Sequence, residues 1–394
     1  MSFCYAVIGS GRQGVAAAYD LAKFGNAEEI IMIDLNKSKA KMAARHINKL
    51  LGREVARSEK VIISETNEGF IGPLGQLLIG TKLFVSAVPF QFNLDLMCLA
   101  VRLGVNMVDL GGHTWTTRQQ LASYPMSAKS GVTIVPDCGM GPGMNISLAL
   151  YAMSLLDVPK EVLIWDGGLP QNPKPPLNYM STFHIDGLLN EYSGNASFIR
   201  NGEIVEVPAL SGLELINFGP QIGILEAFVT SGGLSASPWT LKGKLQRLEN
   251  RTLRYPGHYK YFKVLSDLGF LDRDKIVGSW GTAKRPYDTL KQMLVEMLPR
   301  DEEDICIMRV RCAGEKDGRS AYVVIELIDR FDPVTGFTAM QRLTGWHASI
   351  VGQMAVAGVL PSGAVPVEMV PGSAVVAEAR KRGFVITEEV RYDA

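Results

Sequence analysis

The chain has 394 residues, 47% of them hydrophobic, and forty basic residues balance forty acidic ones for a formal net charge of zero. That balance removes the basis for an electrostatic partnership with nucleic acid or an anionic membrane. No apolar run approaches the roughly 20 residues that span a bilayer. The length carries two sizeable cores, so two domains are expected, in a soluble, cytoplasmic protein. Cys4, Cys98, Cys138, Cys306 and Cys312 are odd in number and form no C-x-x-C, which fits buried reduced thiols. The five histidines are scattered with no i, i+4 pair, so no metal site is expected.

The apolar run Phe3–Ile8 reads as a strand and leads into Gly9-Ser10-Gly11-Arg12-Gln13-Gly14. An alanine-rich helical stretch follows, then a second strand, Ile30–Ile33, ending on Asp34. A G-x-G-x-x-G between strand and helix, with an acid twenty residues beyond, is the fingerprint of a Rossmann-type dinucleotide site. Gly9 permits the turn, Gly11 lets a pyrophosphate approach, and Gly14 lets the helix pack on its strand. Ser10, Arg12 and Gln13 belong to the same loop, whose free N–H groups face the phosphates. Asp34 is placed to accept from both ribose hydroxyls and to repel a 2′-phosphate. This favours NAD over NADP, although Lys37 and Lys39 lie near enough to neutralise a phosphate.

The alternation continues with a polar helix at Lys37–Leu51 and short strands at Val61–Ile63 and Lys82–Val88. Pro89 stops the latter, so Ala87, Val88 and Pro89 are expected against the cofactor. A helix through Leu96 and Val101 precedes strands at Asn106–Asp109 and Val132–Val135. Strands rich in Val and Ile alternating with helices imply a parallel sheet covered on both faces. After Gly143 a helix at 145–156 leads to a strand at Glu161–Trp165. Strands at Ile305–Arg311 and Ala321–Ile328 flank the hairpin turn Glu315-Lys316-Asp317-Gly318, with Phe337–Thr344 as a third neighbour. The fold class is therefore α/β: a Rossmann-type parallel-sheet domain plus an α+β substrate and dimerisation domain rich in antiparallel strands. The first domain is expected over 1–142 with a C-terminal return at 346–394, and the second over 143–345.

Ligands of open parallel sheets bind beyond the carboxyl ends of the strands. Asp109, with His113 four residues on, follows one such strand and Asp137 the next; Asp166 follows the first strand of the second domain. Asp109 and His113 are candidate bases, histidine being the side chain that changes charge near neutrality. Each also has a plainer reading as a cap or turn residue. Asp137 and Asp166 are candidate substrate contacts. Arg254 and Tyr255, in Arg254-Tyr255-Pro256-Gly257-His258, are candidates to hold a substrate carboxylate, which an arginine grips bidentately.

Several segments together resemble the saccharopine dehydrogenase-like family and, within it, the NAD-dependent L-lysine 6-dehydrogenases. They are Val108–His113, Pro136-Asp137 with Gly139 and Pro142-Gly143-Met144, Gly167-Gly168 with Pro170, and Pro175-Pro176-Leu177 with Tyr179. Gly187-Leu188-Leu189, Leu225–Phe228 with Thr230–Gly233, and Thr252–His258 extend the likeness nearly end to end. The resemblance implies oxidative deamination of an amino-acid side-chain amine. The substrate it suggests is L-lysine at C6, giving a semialdehyde that cyclises to piperideine carboxylate, with ammonia released and NAD reduced. It also implies a homodimer or larger homo-oligomer. Saccharopine-forming relatives carry tyrosine, aspartate and cysteine where this chain has Phe90, Gly141 and Asp166. A saccharopine- or carboxynorspermidine-type reductive condensing dehydrogenase is the alternative, and a catalytically inactive nucleotide-sensing protein a further one.

Overall fold

The computed structural model describes residues 2–62, 72–123, 128–278, 284–300 and 302–392. Sixteen strands are present among them. They are β1 (Phe3–Ile8), β2 (Ala27–Asp34), β3 (Ala56–Lys60), β4 (Leu83–Ser86), β5 (Asn106–Asp109), β6 (Thr133–Val135), β7 (Val158–Pro170) and β8 (Asn195–Arg200). The rest are β9 (Glu203–Pro208), β10 (Glu214–Asn217), β11 (Ile224–Phe228), β12 (Arg247–Arg254), β13 (Asp304–Lys316), β14 (Arg319–Arg330), β15 (Gly363–Ala364) and β16 (Ile386–Tyr392).

Seven of them form an all-parallel sheet in the order β15-β6-β5-β4-β1-β2-β3, the Rossmann arrangement with one added edge strand. Its inner strands are apolar on both faces because both faces are covered, whereas the edge strand β3 is Ala-Arg-Ser-Glu-Lys. Helices Pro73–Leu78 and Asn93–Leu103 pack on one side. Helix Arg12–Phe24 and helix His347–Val356 pack on the other.

The second sheet is mixed, in the order β10-β11-β12-β7-β13-β14-β16, with β8 joining β12 and β9 pairing with β8. Only β12–β7 is parallel. The β13–β14 hairpin turns at Asp317-Gly318, both at positive φ (52° and 71°), the conformation a two-residue hairpin turn demands. One apolar cluster runs from the parallel sheet through helix Met144–Ser154 to the mixed sheet, so the two domains share a core.

Four sequence expectations shift. The third strand lies at Ala56–Lys60 rather than Val61–Ile63; Ile62 is 67% exposed, and Ile63 lies outside the described residues. Phe337–Thr344 is no strand: Ala339–Gln341 opens a helix that widens into a π-turn at Arg342–Trp346 and continues as His347–Val356. The hairpin's outer neighbour is β16 instead. The C-terminal segment therefore divides between the sheets, with β15 joining the parallel one and β16 the mixed one, rather than returning whole to the first domain. Finally, Asp166-Gly167-Gly168 lies inside β7, which runs on to Pro170.

The C-terminal return is anchored by an ion pair. Arg382 Nε donates to both oxygens of Asp20 at 2.8 and 3.0 Å, and both side chains are fully buried. Arg382→Leu leaves Asp20 without its countercharge and should cost roughly 3–5 kcal/mol in urea unfolding. Replacing both partners by leucine should recover much of that loss, because no charge then stays buried unpaired.

Candidate active site

The glycine loop is built as the motif requires. Gly9 sits at φ +104°, and a Cβ there would stand 2.4 Å from the Ala87 carbonyl oxygen. This brings the end of β4, with Ala87, Val88 and Pro89, against the loop. A Cβ on Gly14 would stand 1.9 Å from the Gly9 carbonyl oxygen, so only glycine lets the helix start this close to β1. Gly11 caps the helix Arg12–Phe24 with no side chain, and nothing lies within 4 Å of where its Cβ would be. Gln13 Oε1 and Ser10 Oγ are buried there without a hydrogen-bond partner. At the end of β2, Asp34 accepts from Ser10 N–H at 2.9 Å and Asn36 N–H at 2.8 Å, which fixes its carboxylate beside the loop. An open glycine turn, two unpaired polar atoms and an oriented aspartate fit a dinucleotide. Gln341, from the segment after β14, donates to the Arg12 carbonyl at 3.0 Å and ties the loop to the second domain.

Next along the sheet, β5 ends at Asp109. This residue is fully buried and its carboxylate is occupied. One oxygen accepts from Gly111 N–H at 2.8 Å and Asp137 N–H at 3.3 Å, the other from Gln120 Nε2 at 2.8 Å. Burial pushes its pKa up. The structure thus makes Asp109 a support that shapes the Gly111–His113 loop, not a base open to substrate.

His113 emerges from that loop half-buried and stacks on Phe90, 4.7 Å between centroids at 15°. Its Nδ1 lies 3.0 Å from Thr116 Oγ1, the first turn of helix Thr114–Ala122. In the tautomer that donates this bond, Nε2 keeps the lone pair that a base needs. Phe90 is the wall that sets the imidazole's plane.

Asp137 follows β6 at φ +62° with 3% exposure, and accepts from Thr117 Oγ1 at 2.9 Å. Gly111 leaves room for it: a Cβ there would meet Asp137 Oδ1 at 2.4 Å. Burial and the Asp109 charge push Asp137 up to about 7. The unfolded chain holds this proton only near pH 4. Stability that depends on Asp137 is therefore complete below that pH and lost as pH rises toward 7. Asp137→Asn should flatten the fall in melting temperature across that window relative to the natural chain.

Asp166, in mid-β7, is 6% exposed between two asparagines, accepting from Asn145 Nδ2 at 2.9 Å and Asn250 Nδ2 at 3.0 Å. Burial pushes it up to about 6, against the pull of those bonds and of Arg254. Gly141 leaves room for it: a Cβ there would stand 2.7 Å from Asp166 Oδ2. The parallel register sets Thr252 beside Asp166, so Asn250, Thr252 and Arg254 share its face.

Arg254 is 2% exposed and mostly committed: Nε to Tyr192 OH at 2.8 Å, and one terminal nitrogen to Thr252 Oγ1 and the Leu253 carbonyl, both at 2.9 Å. The other terminal nitrogen faces Glu191 at 3.5 Å. The chain of bonds behind it has a fixed direction. His258 Nδ1 lies 2.9 Å from the Leu177 carbonyl, which can only accept. His258 Nε2 therefore accepts from Tyr192 OH, which accepts from Arg254. Burial and the Arg254 charge hold His258 down at about 3, so it stays neutral. Arg254 is thereby a fixed countercharge to Asp166 and Glu191. Tyr255 points the other way: its hydroxyl donates to the Pro170 carbonyl at 2.9 Å and its ring joins the apolar cluster on the opposite face of the sheet. Tyr255, just past the end of β12, turns to that opposite face and does not meet the site.

The coenzyme loop, His113 with Phe90, Asp137 and Asp166 thus occupy adjoining loops at the carboxyl ends of β1, β4, β5 and β6 and on the facing strand β7. Asn145, Asn250, Tyr192 and His258 support them. Only His258 falls in a segment the sequence singles out; the other three carry no motif, because each acts through a partner tens of residues away. Among the described residues no cluster of His, Cys, Asp and Glu could hold a metal ion, and no helix is long and apolar enough to cross a membrane.

Comparison with known proteins places this geometry. The family model for the saccharopine dehydrogenase NADP binding domain matches residues 5–135, and that for the saccharopine dehydrogenase C-terminal domain matches 139–382. A saccharopine dehydrogenase (NADP(+), L-glutamate-forming) of Pyricularia oryzae is 26% identical over 250 residues, 60% of this chain and 50% of its own. The mitochondrial alpha-aminoadipic semialdehyde synthase of Mus musculus is 21% identical over 320 residues, 76% of this chain and 32% of its own. The chain therefore spans half or less of the length of these two curated relatives. The apo saccharopine dehydrogenase (L-Glu forming) of Saccharomyces cerevisiae shares the fold, with a TM-score of 0.77 at 17% identity over 99% of this chain and 100% of that one. With both family models matched, covering most of its length, the chain belongs to the saccharopine dehydrogenase family.

Proposed function

We propose that this protein is an oxidoreductase that deaminates an amino-acid side-chain amine, with L-lysine at C6 as substrate and NAD as coenzyme. The observation that carries the reading is the pairing of one accessible imidazole, His113, with buried carboxyls on the facing wall, next to the glycine loop. A bound oxidised nicotinamide dinucleotide supplies the hydride acceptor. The chain's own residues supply the rest. Asp166, with Asn145 and Asn250 fixing both oxygens, offers negative charge to the incoming ammonium. His113 Nε2 takes the proton that must leave before the amine can lose hydride and passes it to solvent; it then takes a proton from the water that adds to the imine and returns it to the departing nitrogen. Phe90 holds the imidazole in place. The imine carbon gains the water oxygen, nitrogen leaves as ammonia, and the aldehyde closes on the α-amine.

The choice of NAD rests on Asp34, although the matched family model and the Pyricularia oryzae relative are named for NADP. Those names also support a second reading, reductive condensation of an amine with a carbonyl substrate. Against it stands Asp166 in the wall, a charge suited to a free ammonium. We place assembly at a homodimer or larger through the mixed sheet, whose outer strands β10 and β16 each have one unpaired edge in its main path. Light scattering at micromolar concentration should give at least twice the 43.0 kDa chain mass; a monomer would contradict it. The reaction itself is tested by an NADH-formation screen over diamines and amino acids with ammonia measured in parallel.

A further inference from the structure

The inner part of the site is acidic, with Asp137 and Asp166 buried there, Glu191 partly exposed beside Arg254, and Arg254 committed among them. One cation at the edge is differently placed. Arg118 lies on helix Thr114–Ala122, the helix that His113 caps. Its guanidinium carbon is 4.6 Å from the Trp115 ring centre and 4.2 Å from that of Trp239. Trp115 comes from the first domain and is 60% exposed; Trp239 comes from the short helix Ser237–Thr240 of the second. The indoles are tilted by 53° with centroids 6.3 Å apart, so they hold the guanidinium in a notch from two directions. The same helix's Thr117 bonds to Asp137, and Ser235, four residues before Trp239, is buried near that carboxyl. The notch therefore joins the two domains next to the Asp137 carboxyl.

Cation–π contact engages the face of the Arg118 guanidinium, and among the described residues its N–H donors have no protein acceptor and it has no ion pair. A planar fork of donors with its position fixed by rings takes a carboxylate in its own plane. The site thus has carboxyls with their committed countercharge Arg254 inside, and at its edge an oriented guanidinium fork.

We propose that Arg118, Trp115 and Trp239 form the carboxylate subsite that selects an ω-amino carboxylate, its amine at His113 and Asp166 and its carboxylate at the notch. Trp115 and Trp239 are the walls that orient the fork. The proposal rests on the reading of the site as an amine dehydrogenase, so its test includes a readout that needs no turnover.

Indole fluorescence of the NADH-bound protein is titrated with 6-aminohexanoate, which carries both groups, and with cadaverine, which lacks the carboxylate. The natural chain should give a saturable change with 6-aminohexanoate and at least tenfold weaker response to cadaverine. Arg118→Met should abolish that preference, and Arg118→Lys, which keeps charge but not the fork, should lose most of it. Trp239→Leu keeps Arg118 and should weaken 6-aminohexanoate binding, which guards against a fold defect in the Arg118 variants. In kinetics with L-lysine, Arg118→Met should raise KM for lysine tenfold or more while KM for NAD⁺ stays within about twofold. Equal response to the two ligands in the natural chain, or a preference unchanged in Arg118→Met, would overturn the subsite. If lysine is not turned over but the fluorescence preference holds and is lost in Arg118→Met, the assigned reaction fails and the subsite stands.

Discussion

His113→Ala should lower kcat for amine oxidation by about 10²–10⁴-fold, the span expected for a general acid–base group, while KM for NAD⁺ stays nearly unchanged. The imidazole sits on Phe90 and donates from Nδ1 to Thr116 Oγ1, so its loss removes the proton acceptor at Nε2 and one side-chain hydrogen bond. A lost hydrogen bond of this kind costs about 1 kcal/mol of stability. A stability loss of that size leaves the enzyme folded, so a kcat loss belongs to chemistry. His113→Asn, whose side-chain amide keeps a donor for Thr116 Oγ1, should restore stability without restoring kcat. Activity of His113→Ala within a factor of a few of the natural enzyme would remove this residue from the mechanism. Asp137 would then be the next acid to test, since Asp109 is sealed by Gln120, Gly111 and the Asp137 backbone.

The second large effect falls on coenzyme choice. Asp34→Ala should raise KM for NAD⁺ by about 10²-fold or more, because each hydrogen bond from a ribose hydroxyl to a charged acceptor is worth roughly 1.5–3 kcal/mol. The same change removes the charge that repels a 2′-phosphate, so KM for NADP⁺ should rise far less or fall. Asp34 also accepts from Ser10 and Asn36, so the loop loses two anchors. Asp34→Asn keeps an acceptor for one of them and serves as the control: it should weaken NAD⁺ less than alanine does while still admitting NADP⁺. A natural enzyme that prefers NADP⁺ in steady state would overturn the assignment. Lys37 and Lys39, both exposed at the start of the helix that Asn36 caps, are the residues that would then bind the phosphate.

The parallel sheet was legible because its strands are apolar runs ended by glycine, proline or aspartate, and the glycine motif carries its own geometry. What escaped reading escaped for physical reasons. β3 is Ala-Arg-Ser-Glu-Lys at a sheet edge, where polar side chains are tolerated and no apolar pattern is needed. β16 is likewise a charged edge strand, and only its partner β14 reveals it. Phe337–Thr344 is apolar enough for a strand, but Asp304 accepts from Ala339 and Met340 N–H and so starts a helix there, a contact 35 residues away in sequence. In the site, Asp166 was legible as an unusual charge before two glycines. Its asparagine partners were not, since Asn250 lies 84 residues on. Arg254 and Tyr255 read as one cluster, yet Tyr255, just past the end of β12, turns to the opposite face. Arg118 and Trp239 meet only because two domains close on one another.

The central claim, that this fold oxidises a free side-chain amine, is tested most directly by incubating the purified protein with NAD⁺ and L-lysine and measuring NADH and ammonia together. The account predicts stoichiometric NADH and ammonia, with activity lost in His113→Ala. NADH absent with every free amine, together with reduced-coenzyme oxidation when an amino-acid semialdehyde and glutamate are supplied as a pair, would contradict it and assign the site to reductive condensation.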